Sequence, residues 1–165
     1  MSRATLAALA LVTLTGCPEI ASMTYRIDVQ AKTISIVARD VRTTDPDDAE
    51  ADLRSVQKTI TEPDEAFSNV EGSLKEEDGL LVLYWTAQYD QLSDIDVYKH
   101  DRRAPYVWCP ERSSVTKVTS PNGTVPDELH GCVVFDRKAK VLEFTVETDV
   151  SDTTSLLPQF RAAQD

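Results

Sequence analysis

VEGSLKEEDGLLVLYWTAQYD, residues 70–90, carries the clearest fold signal in the chain. Asp78-Gly79 lies between two strand-like runs, and both residues tolerate the positive φ that a two-residue hairpin turn requires. The run Leu80 to Ala87 is apolar on both faces, which predicts a strand covered from both sides at the centre of a sheet. Trp85 and Tyr84 within it are expected as core and rim side chains rather than as a ligand platform, because aromatic rings dominate core packing.

Working outward from this hairpin, TYRIDVQ (24–30) alternates Tyr25, Ile27 and Val29 inward against Arg26, Asp28 and Gln30 outward, as a half-buried strand does. Ala31-Lys32 reads as a turn, and TISIVARDV (33–41) as the returning strand, with a bulge where its alternation breaks around Val37. TTDPDDAEADLRSVQKTI (43–60) is the one helical pattern of any length. Thr44 or Asp45 can cap it and Pro46 fits the first helical position. Asp47, Asp48 and Glu50 suit the positive end of the helix dipole. Ala49, Leu53, Val56 and Ile60 then form a single apolar stripe. The acids do not make a calcium loop, since Ala49 stands at a ligand position and Glu50 where glycine is needed.

TEPDEAF (61–67) reads as a second short helical turn. Between Gln91 and His130 the pattern is loose, with short strands in APYVWCP (104–110) and SSVTKVTS (113–120) and a turn at Pro121-Asn122-Gly123. GCVVFDRKAKVLEFTVET (131–148) reads as a closing hairpin, and LLPQFRAAQD (156–165) as a terminal helix or a frayed end. The sum is an α+β fold: an antiparallel sheet of five to eight strands built from hairpins, with one main α-helix at about 46–60 packed on a face. No internal repeat or low-complexity linker divides the chain, so residues 23–165 are expected as a single domain.

At 165 residues the chain can bury a core unaided. A hydrophobic fraction of 41% with 27% charged residues argues against wholesale disorder. Net charge is −11, with a pI near 4.6. Such a chain repels phosphate backbones, which excludes nucleic acid as an expected partner.

The N-terminus reads as an export signal. Arg3 and the free amine form a short positive region, followed by the apolar stretch Ala4 to Thr13. Ten helical residues rise roughly 15 Å, about half of a hydrocarbon core, which is too short to span. The stretch then ends in Leu14-Thr15-Gly16-Cys17. LTGC resembles the lipobox of bacterial lipoproteins, with leucine at −3, a small residue at −2, glycine at −1 and cysteine at +1. The resemblance covers residues 1–17. It implies cleavage by signal peptidase II between Gly16 and Cys17, a diacylglyceryl group on the Cys17 sulfur, and a permanent membrane anchor. An ordinary secretory signal with a chance cysteine is the alternative, although the usual A-x-A exit is missing.

Under the lipoprotein reading, residues 1–16 are the signal, 17–22 the lipidated tether and 23–165 the domain. Removing Arg3 and no acid leaves 16 basic against 28 acidic side chains, net −12. The partners implied are a membrane through the lipid on Cys17 and an envelope protein or glycan. The location implied is the bacterial cell envelope, facing the periplasm or the cell surface.

Cys109 and Cys132 are the remaining cysteines, and an oxidising compartment favours pairing them as a disulfide. A metal site using His130 with these two would still lack the fourth ligand and the C-x-x-C spacing of structural zinc. No cofactor motif is present: there is no G-x-S-x-G, H-E-x-x-H, P-loop or G-x-G-x-x-G. Two function classes follow. One is a non-catalytic binding or accessory module. The other is a small envelope hydrolase using carboxylates or His100, which lies in YKHDRR (98–103) beside Asp101. Lys99 to Arg103 is a basic island in an acidic sequence, either a solvated face or a receptor for an acidic partner loop or anionic glycan.

Overall fold

The computed structural model describes residues 18–62, 64–110, 115–129 and 131–164. In chain order these form β1 (Glu19–Asp28), β2 (Thr33–Thr43), α1 (Ala49–Thr61), β3 (Phe67–Glu77) and β4 (Leu80–Tyr89). There follow β5 (Val97–Tyr98), β6 (Tyr106–Trp108), β7 (Val115–Thr119), β8 (Val133–Phe135), β9 (Val141–Thr148), β10 (Thr154–Ser155) and α2 (Leu157–Ala162). The large antiparallel sheet runs β3-β4-β2-β1-β9-β7, with β10 added alongside the end of β2, and a small sheet runs β5-β6-β8. The α+β class and the packed main helix are as the sequence predicts.

Register explains the core. Leu83, Ala38, Met23 and Val146 form one cross-strand row over β4, β2, β1 and β9. Trp85, Ile36, Tyr25 and Phe144 form the next, and Ala87, Ile34, Ile27 and Leu142 the third. All twelve are buried in one cluster. The opposite face of these strands is polar, with Thr24 against Thr145 (2.9 Å), Thr86 against Ser35 (3.2 Å) and Arg26 against Glu143 (2.7 Å). Burying an unbroken apolar face of this width needs two covers. Leu53 and Val56 of α1 and Leu157 and Phe160 of α2 join the cluster as one. The small sheet supplies the other through Trp108 and Phe135, whose rings lie 4.4 and 6.1 Å from that of Phe144.

Helix entry follows the capping chemistry. The Asp45 side chain accepts from the Asp47 amide at 2.9 Å, and Pro46–Asp48 form a 3-10 turn that leads into α1. Asp52, which the apolar stripe does not announce, is also buried, accepting from the Thr43 hydroxyl at 2.6 Å. That bond ties the helix to the end of β2.

Several expectations are corrected. The strand predicted at 24–30 begins at Glu19, so Glu19 to Ser22, expected as tether, are already paired with β2. β2 carries no bulge at Val37, which pairs in unbroken register with Thr24 and Tyr84 and faces the polar side. Its phase changes at Asp40, where φ is 59°. The bulge lies instead on the edge strand β3, between Ser68 and Glu71, where it disfavours edge-to-edge pairing. β4 sits second from the sheet edge rather than at its centre, and only Leu81 to Leu83 are buried consecutively. Residues 64–66 form a turn, closed by the Phe67 amide on the Asp64 carbonyl at 3.0 Å, and Phe67 starts β3 rather than ending a helix; Pro63 lies outside the described residues.

The largest correction concerns 131–148. β8 and β9 do not pair with each other. β8 pairs with β6, and β9 with β1 and β7, so this stretch crosses between sheets. A hairpin would have put Phe135 and Phe144 on one sheet; the crossing lets their rings meet, tilted, across the core.

The disulfide Cys109–Cys132 continues the β6–β8 ladder one step beyond Trp108–Val133. It closes a loop that visits the large sheet as β7 and returns, which on the chain-entropy model contributes roughly 3 to 3.5 kcal/mol.

Two outcomes follow. Phe144→Ala removes the ring shared by Tyr25, Trp108 and Phe135 and should lower stability by about 3–5 kcal/mol in urea unfolding; a loss under 1 kcal/mol would contradict the packing. The second concerns Glu76, which receives the Arg161 guanidinium of α2. That hydrogen bond holds the Glu76 carboxyl below its ordinary 4.5. The folded state therefore takes up this proton at lower pH than the unfolded chain, and the stabilisation, complete above pH 4.5, fades as pH falls through the folded value. Glu76→Gln should flatten the acid limb of the unfolding midpoint plotted against pH.

Candidate functional site

The turns around β6 and β8 are built to present cations. After β8, the Asp136 carboxylate accepts from the Lys138 amide at 2.7 Å and folds the chain so that Arg137 projects outward. Between β5 and β6, the Asp101 carboxylate accepts from the amides of Arg103 (2.7 Å) and Ala104 (2.9 Å). Lys99 links the two turns: its ammonium donates to the Arg137 carbonyl at 2.9 Å and lies 3.6 Å from the centre of the Tyr106 ring.

The third wall is residues 120–124. Asn122 extends the pairing of β9 with its side chain, donating to the Val141 carbonyl at 2.9 Å and accepting from the Glu143 amide at 3.1 Å. Thr124 then exchanges both backbone hydrogen bonds with Val134, at 2.9 and 2.8 Å, so one short segment joins the large sheet to the small one. Gly123 lies between them because nothing larger fits: a Cβ there would fall 2.6 Å from Val133 and 2.8 Å from the Phe135 ring. Together Arg103, Arg137, Asn122, Thr124, Val134 and the turn-forming Asp136 bound an open cleft of about 480 Å³.

Electrostatics single this cleft out. Eight arginines are described. Arg26, Arg39, Arg42, Arg54 and Arg161 each have a carboxylate partner. Arg102, Arg103 and Arg137 have no ion pair or side-chain hydrogen bond with another described residue, and they occupy these two neighbouring turns. The cleft also has a fixed address. Val141 pairs with Asp28 and the Val29 amide donates to the Lys140 carbonyl, so the cleft lies at the end of β1 remote from Glu19, roughly 30 Å away. At the Glu19 end the second open cleft, about 420 Å³, is lined by Glu19, Asp149 and Asp152. There the Ser151 amide, donating at 3.0 Å, holds the Asp149 carboxyl below its ordinary value and keeps it charged. Among the described residues, the acidic cleft lies at one end of β1 and the arginines without a carboxylate partner at the other.

The structure distributes the sequence-flagged residues unevenly. Cys109 and Cys132 form the expected disulfide. Of the island Lys99 to Arg103, Arg103 lines the cleft and Lys99 ties its two turns together. His100 is exposed on a bend outside it, and Asp101 binds its own turn rather than the histidine. Trp85 is core, with the Phe67 edge 5.1 Å away, and Tyr84 is half-buried, its hydroxyl on Glu77 at 2.7 Å. Cys17 and Gly16, the expected lipidation and cleavage positions, and His130 lie outside the described residues. Among the described residues no cluster of three or more histidine, cysteine or acidic side chains is placed to hold a metal, and no helix is long and apolar enough to cross a membrane.

Sequence reasoning missed Arg137 and the bridging role of Asn122. The available signal was a second basic run, Arg137-Lys138 followed by Lys140, and nothing linear places it beside Arg103. No family model matches the chain, and neither a curated protein nor a solved structure matches it.

The bridge makes its own prediction. Gly123→Ala should cost about 1–3 kcal/mol by overpacking the Val133–Phe135 contact, and Asn122→Ala about 1–2 kcal/mol through two lost hydrogen bonds. Equilibrium unfolding measures both, and amide exchange at Glu143 should rise in Asn122→Ala alone.

Proposed function

We propose that this chain is a lipid-anchored lipoprotein of the bacterial cell envelope, a non-catalytic binding module whose ligand face is the basic cleft. The reading is carried by the position of that cleft relative to Pro18, the residue that follows Cys17 in the chain. Pro18 is buried and Glu19 opens β1. Cys17 therefore meets the body with only a residue or two of slack, roughly 7 Å extended. An acyl group on its sulfur would set the Glu19 end against the bilayer and carry the cleft roughly 30 Å outward.

Charge supports the same orientation. Glu19, Asp149 and Asp152 would face anionic headgroups within a screening length of about 8 Å, and repulsion would hold the domain off the surface. Outward presentation suits capture of a negatively charged envelope component. The cleft's polar side chains are two guanidinium groups, the Asn122 amide, the Thr124 hydroxyl and the Asp136 carboxylate; Asp136 is spent on the Lys138 amide and Asn122 on β9, which fits binding rather than turnover.

The anchor is tested on the expressed full chain. Wild type should fractionate with membranes and yield an N-terminal peptide whose Cys17 carries a diacylglyceryl mass, with processing blocked by globomycin. Cys17→Ala should leave the membrane fraction while remaining folded. An unmodified Cys17 in wild type would end the lipoprotein reading.

A further inference from the structure

The cleft's chemistry narrows what it holds. Its floor continues across the outer face of the small sheet. Tyr98 pairs with Val107, Val107 with Val134, and Val134 with Thr124, so these four side chains form one row. Tyr98 is 56% exposed and Leu129 44%, and no other large apolar side chain among the described residues is as open. Strand spacing puts the Tyr98 ring roughly 10 Å from Val134, at the rim where Arg103 and Arg137 stand.

Three ligand chemistries compete. A phosphate group, with three acceptor oxygens, is best held by a cradle of free amides. Here the amides of Arg103, Asn122, Gly123 and Thr124 are already engaged by Asp101, Ser120 and Val134. A guanidinium fork suits carboxylate and phosphate alike, but one fork satisfies both carboxylate oxygens and leaves a phosphate oxygen unmet where no amide is free. A peptide would seek an unpaired strand edge, but the outer edge of β8 beside the cleft is closed by Thr124. What remains is a flat row of a phenol ring, two aliphatic side chains and a hydroxyl, ending in two cations with no carboxylate partner among the described residues.

We propose that this surface binds a carboxylate-bearing oligosaccharide, with Arg103 and Arg137 taking the carboxylate and the exposed Tyr98 ring stacking on a sugar face farther along the chain. The inference rests on the cleft being the ligand face. The span from ring to guanidinium groups favours an oligomer over a single sugar.

The test is calorimetric titration of the full chain in detergent micelles with trigalacturonate, against maltotriose, triglutamate and inorganic phosphate. Trigalacturonate should bind, more weakly as salt is raised, and the other three should not compete. Arg103→Gln with Arg137→Gln should weaken binding about ten-fold or more. Tyr98→Ala should weaken it roughly five-fold and Tyr98→Phe should restore it. Arg26→Gln, on the polar face of the large sheet, should change nothing.

All the substituted arginines and Tyr98 are exposed, and unchanged thermal unfolding checks the fold of each variant. Absence of trigalacturonate binding overturns the saccharide assignment, as does equal binding of maltotriose or tighter binding of triglutamate or phosphate. If triglutamate or phosphate binds and the double arginine variant abolishes it, the cleft keeps its ligand role and only the saccharide falls. Binding that survives the double variant removes the cleft itself.

Discussion

The Phe144 ring joins two sheets that could not otherwise form one core. It lies 4.8 Å from Tyr25 on its own sheet and 4.4 Å from Trp108 on the other, with Phe135 at 6.1 Å. The small sheet has strands of only two and three residues, and a sheet that short has no independent stability. It persists because Trp108, Val133 and Phe135 are buried, with the two rings against Tyr25 of β1 and Phe144 of β9, and because the Cys109–Cys132 bond holds β6 to β8. The two helices cover the remaining part of that face. Everything at the cleft, including the Gly123 crossing and the Arg137 turn, hangs on this junction.

The same architecture explains why charges are paired in one region and unpaired in another. On the polar face of the large sheet, register places a carboxylate opposite a cation for Arg26 and Glu143 and for Lys117 and Glu147. Helical spacing does so for Arg54 with Glu50 and Lys58 with Glu62. In the turns at the far end of β1 the acids are engaged differently. Asp101 and Asp136 accept backbone amides to form the turns, which leaves the neighbouring arginines projecting. An aspartate used for turn geometry is a weaker counter-ion, because its lone pairs are already directed at N–H groups. Local folding chemistry thus produces a cationic rim on a strongly acidic chain.

Much of this fold was legible in the sequence wherever the signal is local. The Asp78-Gly79 turn has φ values of 53° and 77°, and the 24–41 hairpin, the Asp45 cap and the Ala49–Leu53–Val56 stripe all follow from short-range rules. The failures share a cause. Val37 looks like a broken alternation because an apolar residue on a polar face is indistinguishable, in sequence, from a bulge. GCVVFDRKAKVLEFTVET looks like a hairpin because two strand patterns around a turn carry no mark of which sheet each will join.

The sequence by itself determined the class, the helix, the first two hairpins and the pairing of the cysteines, since periodicity, turn residues and redox chemistry act over a few residues or need no partner geometry. Tertiary structure alone decided that β8 and β9 part company, that Phe144 becomes a hub, and that Arg103 and Arg137 share one rim although 33 residues lie between them in the chain. The reason is that burial acts on a whole face at once. An apolar face four strands wide must be covered, the helices reach only part of it, and the chain is drawn across to cover the rest.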